Sequence, residues 1–165
     1  MTSRPLSVLV LCTGNSARSI LAEALLNNLG GDRIRAHSAG SQPKGQVHPA
    51  ALALLAERGF DTGSYRSKSW DEFDDSSFDG RLDVIFTVCD SAAAETCPVW
   101  PGHPMTVHWG IPDPAAITTP GEEQRRAFET AYDQLKHRIE AFLAIDDLDP
   151  EQDSLKAQLE AIGRL

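Results

Sequence analysis

A cysteine and an arginine separated by five residues stand in Cys12-Thr13-Gly14-Asn15-Ser16-Ala17-Arg18-Ser19, between an apolar run and a helical pattern. A loop of that size can wrap around a tetrahedral oxyanion, with successive backbone N–H groups turned inward. The following helix adds its free N–H groups and the positive end of its dipole. Gly14 permits close approach, and Arg18 can close the ring with a planar, two-pronged donor. The same surroundings favour a thiolate at Cys12, because a helix N-terminus and a guanidinium both lower a cysteine pKa. Ser19 is in reach to donate a hydroxyl to that sulfur. Thr13, Gly14, Asn15, Ser16, Ala17, Arg18 and Ser19 are therefore the expected oxyanion receptor, and Cys12 the nucleophile within it. The plain alternative is a small buried cysteine ending a strand and a surface arginine on a helix.

The elements that must position this loop follow from the apolar pattern. Ser7 to Cys12 is nearly continuous and apolar, as in a strand buried on both faces. After the turn cluster, Ile20, Leu21, Ala24, Leu25 and Leu29 recur at helical spacing until Gly30-Gly31. Ile34 to His37 reads as a second strand ended by Ser38-Ala39-Gly40, and Pro49 opens a helix that Gly59 stops. Residues 60–80 read as a long loop with one helical turn near Trp70 to Phe73. Leu82 to Cys89 and Met105 to Trp109 complete four strands. Gly121 to Ile145 carries Phe128, Tyr132, Leu135, Ile139 and Phe142 on one helical face. Asp149-Pro150 opens a last helical segment with Leu155, Leu159 and Ile162. Strands alternating with helices predict an α/β fold, a three-layer α/β/α arrangement around a four-stranded parallel sheet. Ligands of such folds sit beyond the carboxyl ends of the strands, where Cys12 and Cys89 both fall.

Composition narrows the function. The chain has 165 residues with 41% apolar and 24% charged, suited to one domain, residues 1–165, with 146–165 as an acidic helical extension. Its net charge of −9 argues against nucleic-acid or anionic-membrane partners. Residues 71–83 hold six acids and one base, and 146–165 six acids and two bases, so those stretches carry the whole excess. The longest apolar run, Ala50 to Ala56, is seven residues, too short to span a bilayer. Three cysteines do not suit a secreted disulfide framework, and the expectation is a cytoplasmic protein.

With these residues in view, the chain resembles the low-molecular-weight protein tyrosine phosphatase superfamily, and more closely the arsenate reductases built on that fold. The matching pieces are Cys12 to Ser19 with Ala22-Glu23-Ala24, then His37-Ser38-Ala39-Gly40 and His48-Pro49-Ala50-Ala51. Phe86-Thr87-Val88-Cys89-Asp90, Cys97-Pro98 and His108-Trp109-Gly110 leading to Asp113-Pro114-Ala115 follow. The resemblance implies reduction of arsenate to arsenite for arsenic detoxification, through a three-step cysteine relay. Cys12 attacks bound arsenate. Cys89 attacks the Cys12 sulfur, releasing arsenite and leaving a disulfide. Cys97 then attacks Cys89 and carries the disulfide outward to a reductant. It also implies Asp113 as general acid, with the turn role of an Asp before Pro as the plainer reading. Thioredoxin is the first expectation for the donor, then glutaredoxin or a low-molecular-weight thiol. No tightly bound cofactor is implied. Related reductases hold potassium near the loop, at positions matching Asn15, Glu23 and Ser38, and Asp71 less securely.

Three other readings compete. A phosphatase would hydrolyse phosphomonoesters through a Cys12 phosphoenzyme, but Ala115-Ala116 stand where such enzymes carry an aromatic pair. A redox or arsenic sensor would need a signalling module, and no basic DNA-binding helix is present. A zinc site on Cys89, Cys97, His103 and His108 matches none of the usual ligand spacings. His37, His48 and His108 are expected to pack or orient, and Asn15 to shape the loop. A helical segment from Cys89 to Cys97 would hold those cysteines ~12 Å apart. That exceeds the roughly 7 Å a disulfide spans, so their pairing predicts local unwinding on oxidation.

Overall fold

Leu6–Leu11 forms the first strand, β1, and all six of its residues are buried. Such a strand needs partners on both edges and cover on both faces. Ile34–Ala39 is β2, Val84–Thr87 is β3 and Met105–His108 is β4. A computed structural model describes residues 5–73, 80–89, 102, 104–146, 148–149 and 154–165. It arranges the strands in the order β2-β1-β3-β4, with all three pairings parallel. The four-stranded parallel sheet and α/β class are those expected from the sequence.

Around the sheet lie α1 (Arg18–Gly30), α2 (Pro49–Glu57), α3 (Glu122–Leu143) and α4 (Leu155–Ile162). The apolar stripe of α3 is buried at Phe128, Tyr132, Leu135, Ile139 and Phe142, as its spacing predicts. His48 caps α2, its Nδ1 accepting from the Ala50 amide at 3.0 Å, and its ring packs on Phe128. A single turn of 3-10 helix, Trp70–Phe73, sits where the sequence suggested one.

Several boundaries differ from expectation. β2 runs on through Ser38 and Ala39, which pair with Val10 and Leu11 of the central strand. Their small, turn-prone types hid this, because the pairing is set by the neighbouring strand. β3 is shorter than Leu82 to Cys89, although Asp83 and Val88 still donate backbone hydrogen bonds to Ser7 and Leu11. The last helix begins at Leu155, after Asp149-Pro150. It is part of the core: Leu155 and Leu159 are wholly buried, and Trp109 Nε1 donates to the Leu159 carbonyl at 2.9 Å. Trp109 stacks on Phe86 with centroids 3.9 Å apart, and Phe142 meets both rings edge-on. This cluster fixes β3 and the chain leaving β4, and so the rim that carries Cys89 and Asp113.

Candidate active site

Cys12 follows the last residue of β1, and Arg18 is the first residue of α1. The loop between them is held from outside. Gln42 N donates to the Thr13 carbonyl, Lys44 N to Gly14 and His48 N to Ser16, at 2.9 to 3.0 Å. The Ser67 hydroxyl adds a second bond to the Gly14 carbonyl at 3.1 Å. With these carbonyls tied to the strap 42–48, the loop amides are left for the inner side, as an anion receptor requires. Ala17 provides no side-chain cap to α1, so the first amides of that helix also have no competing side chain.

Asn15 is the one non-glycine among the described residues with positive φ, 45°. Asparagine tolerates this left-handed region better than most residues. Its fully buried side chain donates to Ser19 Oγ at 2.8 Å and Ser38 Oγ at 2.9 Å, and accepts from the Lys68 amide at 2.8 Å. The expected loop-shaping role thus has a geometry. Ser19 Oγ accepts from Asn15, which leaves its hydroxyl proton to donate elsewhere.

One pocket gathers Cys12, Thr13, Gly14, Ser16, Ala17, Arg18, Cys89 and Asp113, with Gln42, Lys44 and Ala115 at its wall. Arg18 Nη1 donates to the Ile111 carbonyl at 3.0 Å, and Nη2 lies 3.6 Å from Asp113 Oδ2. Arg18 Nε is buried without a hydrogen-bond partner among the described residues. Asp113 Oδ1 accepts from the Ala115 amide at 2.9 Å, so the turn role holds while the carboxylate remains on the pocket wall. His108 meets the Thr87 hydroxyl at 2.7 Å through Nδ1, and His37 packs at a tilt against Phe73.

Cys12 and Cys89 are both free thiols, and they line one pocket together. Thr13 Oγ1 lies 3.6 Å from Cys89 Sγ. The consequence reverses the simple expectation of a lowered Cys12 pKa. The neighbouring Cys89 thiol and burial push it far up, outweighing Arg18 and the Gly14 amide, which pull it down. A thiol pKa above the working range predicts that alkylation of Cys12 in the ligand-free protein rises about tenfold per unit between pH 7 and 9. Cys89→Ala, which removes the largest cause, should speed alkylation at pH 7. Peptide mass spectrometry of iodoacetamide-treated protein checks both, and a flat profile would contradict the coupling.

Cys97 lies outside the described residues, as does His103, and with them the expected rearrangement between Cys89 and Cys97. Among the described residues no cluster of three or more His, Cys, Asp or Glu could hold a metal ion. Three contributors were missed by sequence reasoning. Lys44, in a polar loop without periodicity, lies with its stem against Gly14: a Cβ added there would meet Lys44 Cε at 3.3 Å. Gly40 and Lys68 act across the fold and left no local signal.

A phosphatase-type Cys-to-Arg loop, built between a parallel strand and a helix, decides the family once set beside the match to its sequence model over residues 7–159, described as low molecular weight phosphotyrosine protein phosphatase. The chain belongs to that family. Within the low-molecular-weight phosphatase family, an arsenate reductase of Bacillus subtilis is 34% identical over 132 residues, 80% of this chain and 91% of that protein. A solved arsenate reductase in a phosphate-binding state superposes with TM-score 0.68 at 27% identity, covering 84% of this chain and 97% of the other. A thioredoxin-dependent arsenate reductase of Corynebacterium glutamicum shares the fold, with TM-score 0.56 at 24% identity, over 82% of this chain and 61% of that one. The family model reaches into α4.

Proposed function

We propose that this chain reduces arsenate to arsenite. The observation that carries the reading is the second free thiol: Cys89 shares the wall of the oxyanion pocket with Cys12, and hydrolysis of a phosphoester has no use for it. In the proposed reaction Cys12 Sγ attacks arsenic, forming a sulfur–arsenic bond as one oxygen leaves as water with protons from the thiol and solvent. Asp113 is proposed to deliver the proton to that oxygen. Cys89, as thiolate, then attacks Cys12 Sγ. The sulfur–arsenic bond breaks, its electron pair passes to arsenic, and arsenite departs from a Cys12–Cys89 disulfide. Arsenic gains two electrons and the thiols lose two. Cys97 is proposed to attack Cys89 next and free Cys12.

The proposed donor that restores the thiols is thioredoxin, the donor named for the Corynebacterium glutamicum protein. No helix among the described residues is long and apolar enough to cross a membrane. The proposed site of action is the cytoplasm, where thiols are kept reduced. Ala115 at the pocket wall favours a small oxyanion over an aromatic phosphoester, since among the described residues no ring lines the pocket.

The test is a coupled arsenate-reduction assay run with thioredoxin, glutaredoxin and glutathione in turn. Sustained arsenite production should appear with thioredoxin and fall to background in Cys89→Ser and Cys97→Ser. Any phosphomonoester hydrolysis should survive both substitutions. No arsenite with any donor would discard the reading.

A further inference from the structure

The cation that the family resemblance implies beside the loop is potassium, on Asn15, Glu23 and Ser38, and these residues do not fit a free ion here. Ser38 Oγ donates to Glu23 Oε1 and accepts from Asn15, so the oxygens are turned toward each other. A positive charge already stands among them: Lys68 Nζ is 3.8 Å from Glu23 Oε1, on a side chain only 7% exposed. Asp71, the fourth expected position, is exposed.

We infer that Lys68 is a built-in counter-cation for Glu23, positioning the oxyanion loop without an added monovalent ion. The contacts close a ring. The Lys68 amide donates to Asn15 Oδ1, Asn15 Nδ2 donates to Ser38, Ser38 donates to Glu23, and Glu23 faces the Lys68 ammonium. One residue thus grips both ends of the chain of bonds that holds Asn15 at its positive φ. The ammonium is seated by a further bond to the Arg66 carbonyl at 3.1 Å. Gly40 N also donates to the Lys68 carbonyl at 3.0 Å, binding the same residue to the end of β2.

Burial alone would work against this pair, raising the Glu23 pKa and lowering that of Lys68, and each partner's charge opposes the shift of the other. Removing either one leaves its partner as a desolvated charge next to the loop. A monovalent cation from solution is the simplest replacement for a missing ammonium, being of like charge and suited to oxygen donors.

The inference rests on the loop being an oxyanion receptor and not on arsenate being its substrate, so inorganic phosphate is the probe. Calorimetric phosphate affinity is measured on the full chain at fixed ionic strength, with potassium chloride exchanged for choline chloride. The wild type should bind equally in both salts, within twofold. Lys68→Met should bind about tenfold more weakly in choline and recover most of the loss in potassium. Lys68→Arg should stay near wild type, and Lys68→Met with Glu23→Gln should lose the potassium response. Glu23→Gln alone, which keeps a side chain of the same shape, should weaken phosphate binding and ignore potassium. A potassium-dependent wild type overturns the inference. So does Lys68→Met that binds phosphate normally in choline, or whose loss no monovalent cation restores. If Lys68→Met does not fold, Glu23→Gln decides, and unchanged phosphate affinity there overturns it.

Discussion

Cys12→Ser should lower arsenate reduction by at least about 10⁴-fold while phosphate binding survives. The substitution changes one atom and leaves the rest of the receptor in place: the strap bonds to Thr13, Gly14 and Ser16, the Arg18 fork and the start of α1. Two losses combine. A serine hydroxyl is a far weaker nucleophile at neutral pH than even the raised Cys12 thiol. An oxygen–arsenic ester also gives Cys89 no sulfur to attack, so the two-electron step has no path even if the ester forms. A hydrolase can retain weak activity through an oxygen nucleophile, whereas a disulfide-forming reductase cannot. Phosphate should still raise the variant's melting temperature, because ligand that binds only the folded state stabilises it by mass action. Arsenite formation above one-thousandth of the wild-type rate would contradict the assignment of Cys12.

Gly40→Ala should cost about 100-fold in reduction rate, from a residue that touches no substrate. A Cβ at position 40 would lie 2.4 Å from the Thr13 carbonyl oxygen, 2.6 Å from that of Cys12 and 3.0 Å from the Asn15 amide nitrogen. All three are backbone atoms of the loop, so no flexible side chain can yield. Either the loop moves into the pocket or the end of β2 moves away, and the amide ring loses its fit to the oxyanion. Stability should fall by about 1–3 kcal/mol from the overpacking, offset in part by a less flexible unfolded chain. Gly63→Ala is the control, since its Cβ would meet only Asp61 Oδ1 at 3.4 Å. Phosphate affinity by calorimetry separates a distorted receptor from general destabilisation. Gly40→Ala within twofold of wild type in both affinity and rate would show that the loop does not depend on this contact.

The sequence made legible what is local. Four strands, the helix after the loop and the apolar stripe of α3 follow from periodicity and turn residues, because burial on a face imposes that pattern. The Cys12 to Arg18 loop was legible for the same reason, its chemistry lying within seven consecutive residues. What was hidden depends on contacts between distant segments. Gly40 looked like a strand terminator, and only the approach of β2 to the loop makes it a spacer. Lys68 falls in the stretch that reads as a long loop, and only its ion pair with Glu23 across the fold gives it a role. Arg18 correctly suggested a push toward thiolate at Cys12, but the opposing push comes from Cys89, which follows β3 and is far from Cys12 in the sequence. The charge of −9 changes meaning as well. Among the described residues the pocket draws on Arg18 and Lys44, with Asp113 as its one acid, so attraction of an oxyanion is local.

The central claim is that one chain supplies both electrons, and a single-turnover experiment tests it most directly. Fully reduced protein is mixed with excess arsenate and no added reductant, arsenite is quantified, and the intact protein is weighed by mass spectrometry under acid quench. The account predicts one arsenite per chain and a protein lighter by two hydrogens, with neither change in Cys12→Ser. Arsenite at one equivalent without loss of the two hydrogens, or no arsenite from fully reduced protein, would contradict it.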